Sequence, residues 1–416
     1  MTQAARRISL VTAAVSGVVF VVLAAVLVPW DPVPGGALRP ADPTVLFTPE
    51  QLDRAAEFAS RTDWIGYASL VVRLLAACWL GFSRRGRALF ARLPGPWWAA
   101  VILAVAVFEV GLRLLTLPFA VLMRRQLLDY GLSTQSWPAW VLDLLKGELV
   151  DVVGLSLALL VLVGCARRWR RAWPAIAGAI AAGLVVLGSF AYPLVVEPLF
   201  NDFEPLEDGP LRTGVFELAE KEGVAVDEVL VADASRRTTT LNAYVSGIGG
   251  SRRVVLYDNL VNDLPEDQAL SVVAHELAHA RHHDVVVGTV LGAAGACFAI
   301  GLLGTVLGAL RRRGGSPADP AVVPLVLALY AVAVVLSSPV QNTISRHVEI
   351  RADVDALRAT GDPAAFVELQ RQLAVRSIAD PEPPGWSHFW FGSHPTALLR
   401  TALAERLSES GGTGQE

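Results

Sequence analysis

Apolar residues in this 416-residue chain gather in seven long blocks separated by polar segments. The blocks are apolar throughout and lack the period of an amphipathic surface helix. A helix needs roughly 20 residues to cross a bilayer core about 30 Å thick, and every block reaches that length. We therefore predict seven transmembrane helices, near residues 8–30, 64–83, 98–121, 140–165, 173–196, 285–310 and 321–342.

The first block follows Arg6 and Arg7 and resembles a signal peptide in that respect. Its apolar run is too long for a signal-peptide core, and it has no A-x-A cleavage pattern. We expect it to remain as a membrane helix. The predicted organisation is then five membrane helices in 1–200, a soluble segment in 201–284, a membrane hairpin in 285–342 and a C-terminal segment in 343–416.

The soluble segment contains two short runs typical of strands, EVLVAD and RVVLYDNLV, with the glycine-rich turn GIGG between them. These runs predict a small sheet or hairpin, and an exposed edge strand there could bind a peptide by main-chain pairing. The expected fold class is a predominantly α-helical polytopic membrane protein with a small α+β domain.

Composition agrees with a membrane protein and argues against nucleic acid as a partner. The chain is 53% hydrophobic and 18% charged, with a mean hydropathy of +0.47. The net charge is only -4, and no basic tract is interleaved with aromatic residues as a nucleic-acid groove requires. Cys78, Cys165 and Cys297 lie in apolar stretches without CxxC spacing, which is typical of packing residues.

Arginines predict how the chain is oriented in the membrane. With seven spans, four basic clusters fall on one face, and the loops of the other face hold fewer arginines. The positive-inside rule makes the first face cytoplasmic, together with the N-terminus. The soluble segment and the C-terminal segment would then lie outside. The four clusters are Arg6 and Arg7; Arg84, Arg85, Arg87 and Arg92; Arg167, Arg168, Arg170 and Arg171; and Arg311, Arg312 and Arg313.

Several charged residues interrupt the predicted spans. Such residues are costly in contact with lipid and normally face a bundle interior or water. They could pair between helices as structural elements, or they could line a polar chamber within the membrane. Both alternatives remain open for Arg73, Glu109, Arg113, Asp143, Lys146, Glu148 and Asp151.

The stretch VVAHELAHARHHD, residues 272–284, has the spacing of a metal site. His275 and His279 are four residues apart, so both imidazoles can reach one Zn²⁺ at about 2.0–2.1 Å. Glu276 can act as the general base for a metal-activated water molecule. We expect His282 and His283 to be solvated at the membrane mouth rather than bound to metal.

A third ligand is predicted in NTISRHVEIRADVDA, residues 342–356. Glu349 and Asp353 share a helix face, one as a ligand and the other as partner of a ligating histidine. If the sixth and seventh spans are continuous helices, the stretches from His279 to the loop and back to Glu349 each rise about 45 Å. Glu349 would then lie beside His279. His347 points elsewhere and is expected to be inert.

Three motifs together resemble those of the type I CAAX prenyl protease family: HELAH at 275–279, SRHVEIRAD at 345–353 and SHPTALLR at 393–400. Segments upstream, including YPLVVEPLFNDFEPLEDGPL and LNAYVSGIGGSRRVVLYDNLV, are also similar to the family, so the resemblance covers nearly the whole chain. Members of this family are integral membrane zinc metalloproteases. Their seven helices enclose a water-filled chamber with the zinc site at its wall.

The resemblance implies one zinc ion per chain. Its ligands would be His275, His279 and Glu349. Glu276 would activate water, and Asp353 would orient a ligating histidine.

The resemblance also implies residues that bind substrate. His394 and Arg400 would contact the substrate backbone and the oxyanion of the tetrahedral intermediate. Asn242 marks a strand along which the substrate would extend. His394 precedes Pro395, which favours an extended segment able to approach the metal rather than a helix.

Together these observations predict a zinc endopeptidase in the cell membrane that acts on peptide or protein substrates, including membrane-embedded ones. Prenylated CAAX substrates are not expected outside the membrane, where the arginines place the soluble domain. One alternative is a sensor protease, which would need a separate ligand-binding domain, and the tail after Arg400 is too short for one. Another is a channel or transporter, which would leave HELAH and Glu349 unexplained.

Overall fold

A computed structural model describes residues 2–247, 252–310 and 316–412. Within these ranges, seven helices are long and apolar enough to cross a membrane, which confirms the predicted number of spans. They are α1 (Gln3–Leu27), α3 (Pro49–Phe82), α5 (Trp97–Asp129), α6 (Trp137–Arg168), α7 (Trp173–Val195), α11 (Asp284–Ala309) and α12 (Val323–Thr360).

Eight shorter α-helices and four strands complete the described part of the chain. Thr48 caps the N-terminus of α3 through its hydroxyl, so α3 begins 15 residues before its apolar block. The shorter helices are α2 (Pro43–Leu46), α4 (Arg84–Phe90), α8 (Pro210–Lys221), α9 (Asp258–Asp263), α10 (Glu266–Arg281), α13 (Pro363–Ser377), α14 (Gly385–Phe391) and α15 (Ala397–Gly412). The strands are β1 (Phe203–Pro205), β2 (Glu228–Ala232), β3 (Ala243–Ser246) and β4 (Arg253–Tyr257).

The strands form one sheet in the order β1-β2-β4-β3. β2 and β4 are parallel, whereas β1 and β3 pair antiparallel with their neighbours. The two predicted runs are β2 and β4, which lie in one small sheet as expected but pair in parallel, so they do not form a hairpin. The hairpin consists of β3 and β4 instead, where Ser246 pairs with Arg253. Of its GIGG turn, residues 248–250 lie outside the described residues. Apolar residues of α8, α10 and the sheet form one core, so the sheet supports α10.

The membrane helices contact one another in a closed ring. α3 contacts α12 and α5, α5 contacts α6, α6 contacts α7, α7 contacts α11, and α11 contacts α12. α1 packs antiparallel against α11 at small residues, because a Cβ at Gly301 would lie 2.5 Å from the backbone nitrogen of Ala13. Small residues at such crossings let membrane helices approach closely.

Three of the four basic clusters lie at the same end of the bundle. Ser9, near the first cluster, packs against Gly304 close to the end of α11. Arg167 of the third cluster donates a hydrogen bond of 3.0 Å to the carbonyl of Ala318, just before α12. Gly81, before the second cluster, packs on Pro324. The fourth cluster, Arg311–Arg313, lies outside the described residues, and the orientation of the bundle stays a prediction.

Charged residues within the spans pair between helices. Arg73 Nη2 on α3 lies 2.8 Å from Glu109 Oε2 on α5, and Arg113 Nε lies 2.7 Å from Glu148 Oε2 on α6. Glu109 thus pairs with the neighbouring helix rather than with Arg113 one turn away on its own helix. These contacts favour structural pairing for these four residues.

The expectation of a continuous helix from His279 through the sixth span is wrong. α10 ends at Arg281, and α11 begins at Asp284. Between them His283 has a φ of 55°, a left-handed conformation that ends the first helix and starts the second in a new direction. The seventh span is continuous as predicted, since α12 runs without a break from the membrane through Glu349.

Candidate metal centre

Helix α10 places the HELAH motif between the core and a cavity. Val273 and Leu277 are fully buried in the core shared with the sheet. His275, Glu276 and His279 project from another face and line the cavity. The helical period thus separates packing residues from polar ones within the same short sequence.

Helix α12 crosses α10 and brings Glu349 to the two histidines. Glu349 Oε2 lies 3.4 Å from His275 Nε2, and Glu349 Oε1 lies 3.5 Å from His279 Nε2. The two Nε2 atoms are 3.1 Å apart. The prediction that Glu349 returns beside His279 agrees with this geometry, although the helix leading to the sixth span is broken.

The spacing of these three ligand atoms fits a single metal ion. In a tetrahedral site with bonds of about 2.0–2.1 Å, neighbouring ligand atoms are roughly 3.3 Å apart. The observed distances of 3.1, 3.4 and 3.5 Å bracket that value. His275, His279 and Glu349 form the one group of three metal-ligating side chains found among the described residues.

Both histidines turn their other ring nitrogen towards a carboxylate. His275 Nδ1 lies 2.9 Å from Oδ1 of the fully buried Asp353, and His279 Nδ1 lies 2.9 Å from Asp284 Oδ2. A carboxylate accepts hydrogen bonds, so it favours a proton on the Nδ1 that it approaches, and a neutral imidazole of this kind leaves Nε2 free to bind a metal ion. Either a proton or a metal ion between the two Nε2 atoms would satisfy this contact of 3.1 Å.

The electrostatics of the centre favour a positive charge at His275 and His279. Burial alone would lower the pKa of His279, but hydrogen bonds to Asp284 and Glu349 outweigh it and raise that pKa to about 10. Burial raises the pKa of the Glu276 carboxyl, and the neighbouring His275 and His279 oppose this rise. The surrounding carboxylates thus stabilise a cation at the histidine pair, as metal binding requires.

Arg400 and His394 both approach the same carboxylate oxygen of Glu349, Oε2. Arg400 Nη2 is 2.9 Å from Glu349 Oε2, and its Nη1 is 3.1 Å from Asp353 Oδ1. Its side chain is only 10% exposed, so its guanidinium is committed to these carboxylates. His394 Nε2 is 3.6 Å from Glu349 Oε2, with its side chain 64% exposed. As predicted, His394 lies on a non-helical segment, between α14 and α15.

A cavity of about 1210 Å³ opens beside these groups. Its walls are the polar face of α10, strand β3, helix α13 and the segment from His394 to Arg400. Asn242 lines the cavity directly before β3, and its carbonyl accepts a hydrogen bond of 3.0 Å from the backbone of Tyr257. Because β3 is an edge strand, its outer side can pair with an extended peptide.

Sequence reasoning missed Asp284 and Arg351. Asp284 follows His279 by five residues across the bend at His283, a spacing that a continuous helix would not bring to the same face. Arg351 donates a hydrogen bond to Asp284 from α12. The only signal in the sequence was that Arg351 lies two residues beyond the predicted ligand Glu349.

The other histidines lie outside the metal cluster, but the expectation that His282 is simply solvated is wrong. Its Nε2 lies 2.7 Å from Asp355 Oδ2, in a hydrogen bond that links the end of α10 to α12. His283 is exposed at the cavity wall. His347 contacts the carbonyl of Thr343 through Nδ1 at 2.8 Å, away from Glu349 as predicted.

Comparison with known proteins agrees with this site. Residues 205–408 match peptidase family M48, and residues 47–202 match the N-terminal region of CAAX prenyl proteases, described as five membrane helices. The uncharacterized metalloprotease YhfN of Bacillus subtilis is 30% identical over 308 residues, which cover 73% of this chain and 72% of that protein.

Two further relatives extend the comparison. A CAAX prenyl protease 1 homologue of Oryza sativa subsp. japonica is 32% identical over 222 residues, 51% of this chain and 51% of that protein. The crystal structure of S. mikatae Ste24p has a TM-score of 0.77 and covers 96% of this chain and 99% of its own, at 19% identity. This last likeness confirms the helical membrane fold. The chain belongs to peptidase family M48 and is a multi-pass membrane metalloendopeptidase.

Proposed function

We propose that the metal of this metalloendopeptidase is zinc, one ion per chain, held by His275, His279 and Glu349. Two imidazoles and one carboxylate are a common ligand set of catalytic zinc and leave one position open. Asp353 and Asp284 would hold the two imidazoles in the orientation and tautomer that zinc needs. The metal centre supports this proposal through its spacing of 3.1 to 3.5 Å between ligand atoms.

Bound zinc would polarise the scissile carbonyl and make water a stronger nucleophile. Glu276 would take the proton from the attacking water and deliver it to the leaving amine. Its place on the cavity wall beside both histidines is the observation that supports this role. Its raised pKa suits a group that both accepts and donates a proton.

His394 and Arg400 would have different tasks in this reaction. His394 is largely exposed at the cavity, so its imidazole can reach a substrate and stabilise the developing oxyanion. Arg400 already pairs with Glu349 and Asp353. Its main contribution to oxyanion stabilisation would therefore be indirect: it would hold these two carboxylates of the metal centre in place. Asn242 and β3 would bind the substrate in extended form.

The proposed substrates are peptides or proteins at the outer side of the membrane, including membrane-embedded ones. Phe190 of α7 and Val285 of α11 line the cavity beside the metal ligands, so membrane helices form part of its wall. The rice relative is a CAAX prenyl protease by name. The arginine distribution argues for a site outside the cytoplasm, where prenylated substrates are not expected. A reporter fused after Glu416 that is active only in the cytoplasm would contradict this orientation.

The observation that carries the proposal is the convergence of the two Nε2 atoms and the Glu349 carboxylate at 3.1 to 3.5 Å from one another. The test is metal analysis of the purified protein, combined with cleavage of a quenched peptide panel, prenylated and plain. Wild type and Glu276→Gln should each hold about one zinc, and only wild type should cleave. Wild-type protein that holds no metal and cleaves nothing would overturn the proposal and revive the transporter alternative.

A further inference from the structure

One end of the cavity carries basic groups that hydrolysis does not use. The cavity face of α10 and the turn after it run from Ser271 to His283, with the metal ligands between. Along these residues the chain rises about 18 Å, enough for five or six residues of an extended peptide at about 3.3 Å each. His283 therefore lies at the C-terminal end of a peptide-length stretch, beyond which the lining continues into α11 at Asp284 and Val285.

The backbone of His283 is held in an unfavourable conformation. Its φ and ψ are 55° and 38°, in the left-handed region that is uncommon for residues other than glycine, with asparagine, aspartate and histidine the most frequent exceptions. Such outliers persist where surrounding structure imposes them, and they concentrate at functional sites. Here the conformation turns the chain from α10 into α11 and leaves the exposed imidazole on the cavity wall.

Arg252 meets His283 from the sheet. Arg252 directly precedes β4 and lines the same cavity, with its Nη2 3.2 Å from His283 Nδ1. A guanidinium can only donate, so Nδ1 accepts and the imidazole proton lies on Nε2. Both side chains therefore have N–H groups left to donate.

Arg252 differs from the other arginines around the site. Arg400 and Arg351 are each bound to buried carboxylates. Across residues 2–247, 252–310 and 316–412, no carboxylate forms an ion pair with Arg252, and its side chain contacts His283 instead. A guanidinium on a cavity wall without an acidic partner can pair with an anionic group of a ligand.

We propose that Arg252 and His283 form a subsite for a carboxylate of the substrate, from an acidic side chain or from the chain terminus. This inference rests on the proposed function, because it needs a peptide in the cavity. His283 is about 9 Å along the wall from the midpoint of the two histidine ligands, which corresponds to two or three residues of extended peptide. The enzyme therefore prefers a carboxylate at that distance from the scissile bond.

The test uses the purified full-length enzyme loaded with its metal. Quenched peptides that wild type cleaves are varied by placing Asp or Asn at each of three positions on either side of the bond. A second set ends in a free acid or an amide two or three residues beyond the bond. One charge-assisted contact should raise kcat/KM about tenfold for the peptide with the carboxylate over its neutral counterpart. A response in the Asp/Asn set identifies an acidic side chain as the source of the carboxylate, and a response in the acid/amide set identifies the chain terminus.

The variants Arg252→Gln and His283→Asn test the residues themselves. Asparagine tolerates the left-handed backbone at 283, so this change removes the imidazole without new strain. Arg212→Gln is the matched control, because Arg212 lies on α8, pairs with Asp208 and does not line the cavity. Thermal unfolding and metal content verify that each variant folds and keeps its metal.

Arg252→Gln should lower the preference for the acidic peptide to near unity while cleaving the neutral peptide as wild type does. The control should keep the full preference. Equal cleavage of acidic and neutral peptides by wild type, or an unchanged preference in Arg252→Gln and His283→Asn, would overturn the subsite. Failure of the proposed function is distinguishable, because wild type would then cleave none of the peptides.

Discussion

Buried charges occur in two regions of this protein, and the two regions compensate them differently. Among the membrane helices, carboxylates and arginines meet in pairs, as in Arg73 with Glu109 and Arg113 with Glu148. At the metal centre, carboxylates outnumber the arginines. Four carboxylates and two guanidinium groups converge there, from Glu276, Glu349, Asp353 and Asp284 and from Arg351 and Arg400.

The difference indicates which region suits a bound cation. With neutral histidines, the centre has an excess of two negative charges, which one divalent ion would balance. Among the membrane helices, the buried Glu109 and Glu148 each have an arginine partner, and the additional carboxylate near Arg113, that of Asp151, is exposed. Burying an uncompensated charge is costly, so an excess of this kind indicates a binding site, whereas a matched pair indicates structure.

Removing the metal should have the largest effect. Dialysis against a chelator should abolish cleavage, and one equivalent of Zn²⁺ should restore it. The metal-free protein should also unfold more easily, since a ligand at 100 times its Kd adds about 2.7 kcal/mol of stability. Thermal unfolding in detergent and activity before and after reloading measure both effects. Full activity in protein free of measurable metal would contradict the assignment.

Glu276→Gln should come next, because it removes the proposed base and keeps the size of the side chain. We expect kcat to fall about 10²- to 10⁴-fold, as for loss of a general base. Metal content and thermal unfolding should stay as in wild type, because Glu276 is not a proposed ligand. If instead the variant lost its metal, Glu276 would belong to the ligand set.

Asp284→Asn should weaken metal binding about 10- to 100-fold, the usual effect of losing a carboxylate partner of a ligating histidine. Titration of metal-free protein with Zn²⁺ measures this directly. Asp355→Asn is the matched control, because Asp355 also pairs with a histidine, His282, at 2.7 Å but away from the cluster. Equal losses in both variants would mean that Asp284 acts only on stability.

Glu109→Gln should have the smallest effect of these changes. We expect it to leave the affinity for the metal unchanged. Arg73 is 38% exposed, so we expect a loss of stability of about 1 kcal/mol on breaking the pair. Thermal unfolding and zinc titration of the same preparation separate the two quantities. A clear drop in zinc affinity would show that the charge pairs of the membrane helices are coupled to the centre.

The seven spans were predictable because length and continuous hydrophobicity are local properties of the chain. The residues at which the helices begin and end were harder to predict. α12 continues 18 residues past its apolar block to Thr360, because its polar part packs against α10. The apolar block marks where lipid contacts a helix, but protein contacts can prolong the helix beyond it.

The candidate site was predictable where its residues share a helix turn. His275 with His279, and Glu349 with Asp353, follow from a spacing of four residues. The motif resemblance added His394 and Arg400. It did not reveal that Arg400 bridges Glu349 and Asp353.

The amino-acid sequence alone determined the membrane class, the number of spans and the polar residues that could bind a metal, because each depends on short-range spacing. Only the tertiary structure decided which carboxylate orients which histidine. The bend at His283 turns Asp284 back to His279, and the crossing of α10 with α12 brings Asp353 to His275. These contacts depend on directions of the backbone between elements, which periodicity along the chain does not specify.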